Sequence, residues 1–122
     1  MTMLKFRAWD KVNNEMFEVA EMDFIFDTVS DKKYYSVSFD EIELMQSTGL
    51  VDMHYNEIFE GDVVKVLNSL YTVFYDGERG SFRLKPHDKR WHTDYMSNFS
   101  GGGNFEVVGN IYENPELVEE VE

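Results

Sequence analysis

The pattern of apolar and polar positions in the first fifty residues has a period of two, which is typical of half-buried β-strands. It predicts strands over residues 5–10, 15–19, 22–27 and 34–39, and a further strand that ends near residue 45. Asn13-Asn14 is a turn pair, so the first two strands should form a hairpin. In the third strand, Met22, Phe24 and Phe26 would share one face, with both Asp side chains on the other. These residues predict an N-terminal antiparallel β module over residues 1–50.

The second half has shorter strands and tighter turns. The pattern predicts strands over residues 62–67, 70–75, 81–85 and 105–112. In the third of these, Phe82 and Leu84 would point inward, while Arg83 and Lys85 would point outward. Short strands at this spacing predict a small SH3-like β-barrel over residues 61–113.

The segments around this barrel are shorter. Residues 51–60 are predicted to be a connecting turn, and residues 114–122 an acidic tail or a short C-terminal helix. Asn114 would be the N-cap of that helix and Pro115 its first residue. The sequence therefore predicts a mainly β fold, and we expect its segments to form one compact unit.

Three glycines are predicted to have structural roles. Gly49 and Gly61 flank the connecting turn, and Gly109 lies within the last strand. Glycine adopts positive φ without steric cost, which suits a chain reversal. We expect Gly49, Gly61 and Gly109 to be turn or packing positions rather than contacts to a substrate.

Composition narrows the functional classes. The 122-residue chain has no cysteine, so disulfides and thiolate metal sites are excluded. No apolar run approaches the roughly 20 residues that span a bilayer, and residues 1–5 lack a signal-peptide core. The net charge of −13 argues against general affinity for nucleic acid or an anionic membrane. We expect a soluble protein without membrane association.

A local excess of bases interrupts this acidic background. Between Arg79 and His92 there are five bases and one acid. The candidate binding patch consists of Arg79, Arg83, Lys85, Lys89, Arg90 and Trp91. Such a patch can hold phosphate and stack a base. It can equally pair with acids of a neighbouring subunit or of the chain's own tail, or remain solvated.

Patterns that indicate catalysis or metal binding are missing from the sequence. It has no cysteine nucleophile, no Gly-x-Ser-x-Gly, no phosphate loop and no His-Glu-x-x-His. His87, Asp88, His92 and Asp94 could supply metal ligands, but their spacing matches no established zinc pattern. We therefore predict no catalytic residue, no metal and no cofactor, and a protein that is not an enzyme.

Four sequence blocks carry a family resemblance. They are residues 5–10, 44–50, 58–64 and 107–117, which read KFRAWD, LMQSTGL, IFEGDVV and VVGNIYENPEL. Together and in this order they resemble the YopX family of small proteins from temperate phages and prophages. The resemblance implies a mostly β protein encoded by a phage or prophage. It implies no known reaction and no catalytic residue.

These observations predict an accessory phage or prophage protein that acts in the host cytoplasm as a non-enzymatic binding or regulatory module. One alternative is a nucleic-acid-associated factor that uses the patch at residues 79–92. Another is an acidic decoy that imitates DNA to block a host protein. We also expect a homo-oligomer, in which the basic patch of one copy meets the acidic tail of another. A host or phage protein is a further possible partner.

Overall fold

The computed structural model describes residues 4–96 and 105–118. Of these residues, 53% lie in β-strands and 7% in short helical turns. The paired strands are antiparallel throughout. The prediction of a mainly β protein is therefore confirmed. The chain divides into two compact units, Met1–Gln46 and Ser47–Glu122.

The first unit is built from short strands. In chain order they are β1 (Phe6–Asp10), β2 (Glu15–Glu18), β3 (Glu21–Asp23), β4 (Thr28–Ser30), β5 (Ser36–Ser38) and the start of β6 (Ile42–Val51). β1 pairs with β2 on one side and with residues 42–46 of β6 on the other. β3, β4 and β5 form a three-stranded sheet. A 3₁₀ helix, Phe39–Glu41, precedes β6.

The core of the first unit is small and aliphatic. Ala8, Val29, Val37 and Ile42 are buried and pack together. At the end of β1 the buried carboxylate of Asp10 accepts hydrogen bonds from the backbone amides that follow it. These bonds close the predicted hairpin between β1 and β2.

The predicted strand over residues 22–27 is wrong in its second half. β3 ends at Asp23, and Phe24, Ile25 and Phe26 lie in the turn that leads to β4. The Asp23 carboxylate accepts hydrogen bonds from the amides of Ile25 and Phe26, and Asp27 has φ of 56°. This local turn chemistry reverses the chain before the alternation can continue.

The predicted strand over residues 34–39 is shortened in a similar way. Only Ser36–Ser38 are in β5, because Tyr34 has φ of 67° and the Asp31 carboxylate accepts hydrogen bonds from the amides of Lys33 and Tyr35. Aromatic residues that favour strands therefore lie in a turn here.

The second unit holds the larger sheet. Its strands are the end of β6, β7 (Glu57–Phe59), β8 (Asp62–Val66), β9 (Ser69–Asp76), β10 (Ser81–Pro86), β11 (Asp94–Tyr95) and β12 (Glu106–Asn110). The sheet order is β11-β10-β9-β8-β12. The hydrophobic core of the second unit contains Ile58, Val64, Val66, Val73, Leu84, Met96 and Phe105. β7 pairs with the end of β6.

Two predicted features of this unit are not confirmed. Among the described residues, the strands form a five-stranded sheet with β11 and β12 at its edges. The predicted SH3-like barrel is not confirmed. The predicted C-terminal helix is represented by a 3₁₀ turn, Pro115–Leu117. The Asn114 side chain does not cap it, because its Oδ1 accepts a hydrogen bond from the Asn110 amide. Residues 119–122 lie outside the described residues.

The three predicted structural glycines behave differently. Gly61 has φ of 86° in the turn between β7 and β8. Gly49 also has positive φ, 82°, but it lies inside β6, in the stretch where the register with β7 shifts, so it marks an irregularity within a strand rather than a turn. Gly109 lies in β12, and a Cβ there would stand 2.5 Å from the Oδ1 of Asn114. Gly109 is therefore a close-packing position.

Candidate functional site

The segment predicted to carry the binding patch runs through one corner of the second unit. Arg79 lies in the loop between β9 and β10, Arg83 and Lys85 lie on β10, and Lys89 and Arg90 follow it. The alternation of β10 buries Leu84 and directs Arg83 and Lys85 to the opposite face. The structure therefore gathers the predicted bases on one strand and its flanking loops.

Two of these bases converge on one carboxylate. The Oδ2 atom of Asp76 accepts hydrogen bonds of 3.0 Å from both Arg79 and Arg83. The Arg83 hydrogen bond lowers the pKa of Asp76; burial opposes it, and Arg79 adds to it. Asp76 thus stays ionised and neutralises part of the patch.

Arg83 is further fixed by its neighbours. Its guanidinium lies 4.5 Å from the ring centroid of Tyr95, its cross-strand partner, and donates to the backbone oxygen of Thr93. Only 14% of its side chain is exposed. Arg83 therefore fixes β11 against β10, and little of its charge is accessible to a ligand.

Arg90 is paired as well. Its guanidinium donates to both carboxylate oxygens of Asp88. These hydrogen bonds, together with one from the Arg90 backbone amide, lower the pKa of Asp88 to about 2. Such a solvent-exposed pair adds little stability, but it removes another charge from the patch. Trp91 is 53% exposed and lies outside the pocket described next.

The two lysines of the patch line a pocket of about 410 Å³, which we call the lysine pocket. It is lined by Thr72, Lys85, Pro86, His87, Lys89, Ile111 and Val118. Within the described chain, neither Lys85 nor Lys89 has a carboxylate within ion-pair distance. The pocket therefore combines two exposed ammonium groups with an apolar wall.

The polar side of the pocket is ordered by β9 and β10. Thr72 stands directly across from Lys85 in the sheet, and its Oγ1 is 2.7 Å from the Nε2 of His87. The His87 amide donates to the backbone oxygen of Leu70. This network fixes the imidazole at the pocket wall, close to the two flexible lysine side chains.

The predicted patch and the pocket overlap only in Lys85 and Lys89. Sequence reasoning missed Thr72, Ile111 and Val118, because they come from β9 and from the segment after β12. The strand alternation that places Thr72 opposite Lys85 is visible only once the register of β9 and β10 is known. A pocket of this size, with an apolar wall and a few convergent polar groups, has the general character of a ligand site.

The histidines and aspartates weighed as metal ligands in the sequence are engaged elsewhere in part. Asp88 is engaged by Arg90, and His87 by Thr72. Among residues 4–96 and 105–118, no group of three or more His, Asp or Glu side chains is placed to hold a metal ion. In the same residues no helix is long and apolar enough to cross a membrane.

Comparison with known proteins identifies solved structures that are similar to this chain. No curated protein matches it. A solved structure, protein EF1440 from Enterococcus faecalis, is 26% identical with a TM-score of 0.61, and the match covers 98% of this chain and 100% of that one. Protein yopX from Bacillus subtilis is 17% identical with a TM-score of 0.58, and the match covers all of both chains, which shows a shared fold.

The family comparison covers nearly the same length. The family model described as YopX protein matches residues 5–119. This range includes the whole of the four blocks noted in the sequence and every residue that lines the lysine pocket. The chain belongs to the YopX family.

Proposed function

We propose that this chain is a non-enzymatic binding module of a phage or prophage, acting in the host cytoplasm, and that the lysine pocket is its binding site. Its ligand is a group that joins an apolar part to a carboxylate, such as an acidic and aromatic segment of a protein. Apolar contact with the wall would supply affinity, and the ammonium groups would select the charge and fix the orientation.

The observation that carries the proposal is that Lys85 and Lys89 line the same pocket as the apolar side chains of Ile111 and Val118. Lysines on an acidic protein have many carboxylates to pair with, yet these two stay exposed. Their side chains are flexible, so each can move to meet a ligand carboxylate. An apolar wall beside ammonium groups that have no carboxylate partner among residues 4–96 and 105–118 favours an amphipathic anion over a purely charged one.

The state of the arginines argues against the nucleic-acid alternative. Arg79 and Arg83 share Asp76, and Arg90 is held by Asp88. Binding a polynucleotide takes several cations that contact its phosphates. Two lysines can contact few phosphates, and the net charge of −13 repels the rest of the backbone. Because the arginines are paired with aspartates, the cations left for a ligand are the two lysines of the lysine pocket, which suit a single anionic group.

The ionisation of the nearby groups supports a non-enzymatic role. A general acid or base works best with a pKa near the working pH. Hydrogen bonds from arginine instead lower the pKa of both Asp76 and Asp88, so these carboxylates remain ionised at neutral pH. The sequence also lacks the nucleophile motifs noted above.

The test is an NMR titration of the ¹⁵N-labelled protein with 3-phenylpropionate and, as a matched control, 3-phenylpropylamine. The two probes share an aryl chain and differ in charge. We expect the carboxylate to shift the amide signals of Lys85, His87 and Ile111 in a saturable way. Equal shifts with the amine, or no shifts at the pocket, would contradict the proposal. A single-stranded oligonucleotide that binds residues 79–92 more tightly than the carboxylate would favour the nucleic-acid alternative.

A further inference from the structure

The turn between β3 and β4 presents three consecutive apolar side chains to solvent. Phe24, Ile25 and Phe26 are 75%, 85% and 75% exposed. We call these three residues the apolar tip. The two phenylalanine side chains can each bury roughly 150–250 Å² when they are covered. A contiguous exposed patch of this kind marks an interaction site more often than single exposed apolar residues do.

The apolar tip is held in a defined conformation. The Asp23 carboxylate accepts hydrogen bonds of 2.9 and 3.1 Å from the amides of Ile25 and Phe26. Phe24 makes an edge-to-face contact with Phe39, with ring centroids 5.9 Å apart. A preformed tip loses little conformational entropy on binding, so its burial contributes more fully to affinity.

The charges around the apolar tip define its partner. Asp23 and Asp27 stand on either side of it in the chain. A negatively charged membrane surface would repel these carboxylates. The complementary surface is an apolar concavity with cations at its wall, which is the description of the lysine pocket.

We propose that the apolar tip of one copy of this chain binds in the lysine pocket of a second copy. The inference rests on the proposed function and names the ligand of that site. An aromatic or aliphatic side chain of the tip would lie against Ile111 and Val118. The flanking carboxylates would meet Lys85 and Lys89.

The contact is heterologous, because the apolar tip and the lysine pocket are different surfaces. Such contacts form a ring when the rotation closes and a filament when it does not. The net charge of −13 opposes association at long range, whereas the local charges of the tip and the pocket are opposite. The tip alone is smaller than a standard interface, so it would act as the central anchor of a larger contact.

The test uses two variants that each remove one half of the contact. The tip variant carries Ile25→Ser and Phe26→Ser and keeps Phe24, which packs on Phe39. The pocket variant carries Lys85→Glu and Lys89→Glu. All four positions are exposed, so both variants should fold, which circular dichroism and thermal melting will verify.

Matched controls change the same chemistry elsewhere. Leu67→Ser removes an exposed apolar side chain from the turn between β8 and β9. Lys32→Glu with Lys33→Glu reverses two exposed lysines in the turn between β4 and β5. Both controls should associate like the wild type.

Sedimentation at about 100 μM measures the outcome, since a contact with a dissociation constant near 10 μM is then largely formed. We expect the wild type at several times 14.4 kDa, each variant alone at 14.4 kDa, and their 1:1 mixture at twice that mass. In the mixture, the intact tip of the pocket variant can bind the intact pocket of the tip variant, and the pair has no further tip or pocket with which to extend. A monomeric wild type, a variant that still associates, or a mixture that stays monomeric would overturn the inference.

The tip variant also separates this inference from the proposed function, because its pocket is intact. If the 3-phenylpropionate titration succeeds on this variant while the wild type is monomeric, the pocket is a binding site and its ligand is not the apolar tip. If the titration fails on both proteins, the proposed function fails with the inference.

Discussion

The carboxylate of Asp52 accepts a hydrogen bond of 2.9 Å from the backbone amide of Val107, which lies 55 positions later in the chain. The same buried carboxylate accepts from the amides of His54 and Asn56. One side chain therefore shapes the turn after β6 and fixes it to β12. The amide of Met53 adds a second link, to the backbone oxygen of Phe105.

Replacing Asp52 should destabilise the second unit. Asp52→Ala removes the buried acceptor of three backbone amides. Because unsatisfied buried amides are costly, we expect a loss of roughly 2–4 kcal/mol in the free energy of unfolding. Urea denaturation measures this value. Glu78→Ala, at a side chain that is 91% exposed, is the control and should change stability by less than about 0.5 kcal/mol. Equal effects of the two substitutions would contradict the role of Asp52.

The same carboxylate should give stability a pH dependence. Burial raises the pKa of Asp52, but the amides of Val107, Asn56 and His54 outweigh it and hold the pKa below its usual 3.8. The folded state then binds fewer protons than the unfolded state near pH 4. Its extra stability is full above the unfolded pKa and is lost as the pH falls through the folded pKa.

Asp52→Asn isolates this effect, because asparagine does not titrate. The wild type should exceed the variant in stability at pH 7, and the gap should shrink below about pH 4. Urea midpoints over this pH range measure the gap. A gap that stays constant down to about pH 2.5 would show that the Asp52 carboxylate is not the titrating group.

Gly61 should not tolerate a side chain. Its φ of 86° lies in the left-handed region, and its amide donates to Val73 while its oxygen accepts from Ile111. Gly61→Val should lower the free energy of unfolding by at least about 1 kcal/mol, because a Cβ strains this backbone. Gly77→Ala is the control, since a Cβ at Gly77 meets nothing within 4 Å. Thermal melting compares the two, and an unchanged Gly61→Val would refute the argument.

Gly109 should resist substitution for a steric reason. A Cβ there would stand 2.5 Å from Asn114 Oδ1 and 2.7 Å from Leu117 Cδ1. Gly109→Ala would therefore displace Asn114 from the Asn110 amide, at a cost of about 1–3 kcal/mol. The double variant with Asn114→Gly should recover part of the steric loss. An equal loss in the single and double variants would place the cause elsewhere.

The sequence predicted the structure best where turn residues and alternation agree. Asn13-Asn14 closes the hairpin of β1 and β2, and Asn14 takes the positive φ that asparagine tolerates. The loop at residues 77–80 joins β9 and β10, which match the strands predicted over residues 70–75 and 81–85, and Gly80 in it has positive φ. In both places the deciding interactions lie within a few residues, so local chemistry is sufficient.

The prediction failed where two local signals conflict. Residues 22–27 alternate like a strand, but Asp23 caps the amides that follow and ends β3. Alternation also directed Arg83 into solvent, whereas Asp76 and Tyr95 from neighbouring strands enclose it. Periodicity reports which face a side chain takes and carries no information about its distant partners.

The lysine pocket could be anticipated only in part for the same reason. Lys85 and Lys89 stand out in sequence as bases in an acidic chain. Ile111 and Val118, which supply the apolar wall, are distant in sequence and reach the pocket through the fold.

The binding role of the lysine pocket is tested most directly by the affinity of 3-phenylpropionate for two matched double variants. Lys85→Ala with Lys89→Ala should weaken binding about three- to tenfold, the range expected for losing one or two exposed charge pairs. Lys32→Ala with Lys33→Ala should leave the affinity unchanged. Equal affinities for the wild type and the Lys85→Ala, Lys89→Ala variant would contradict the account.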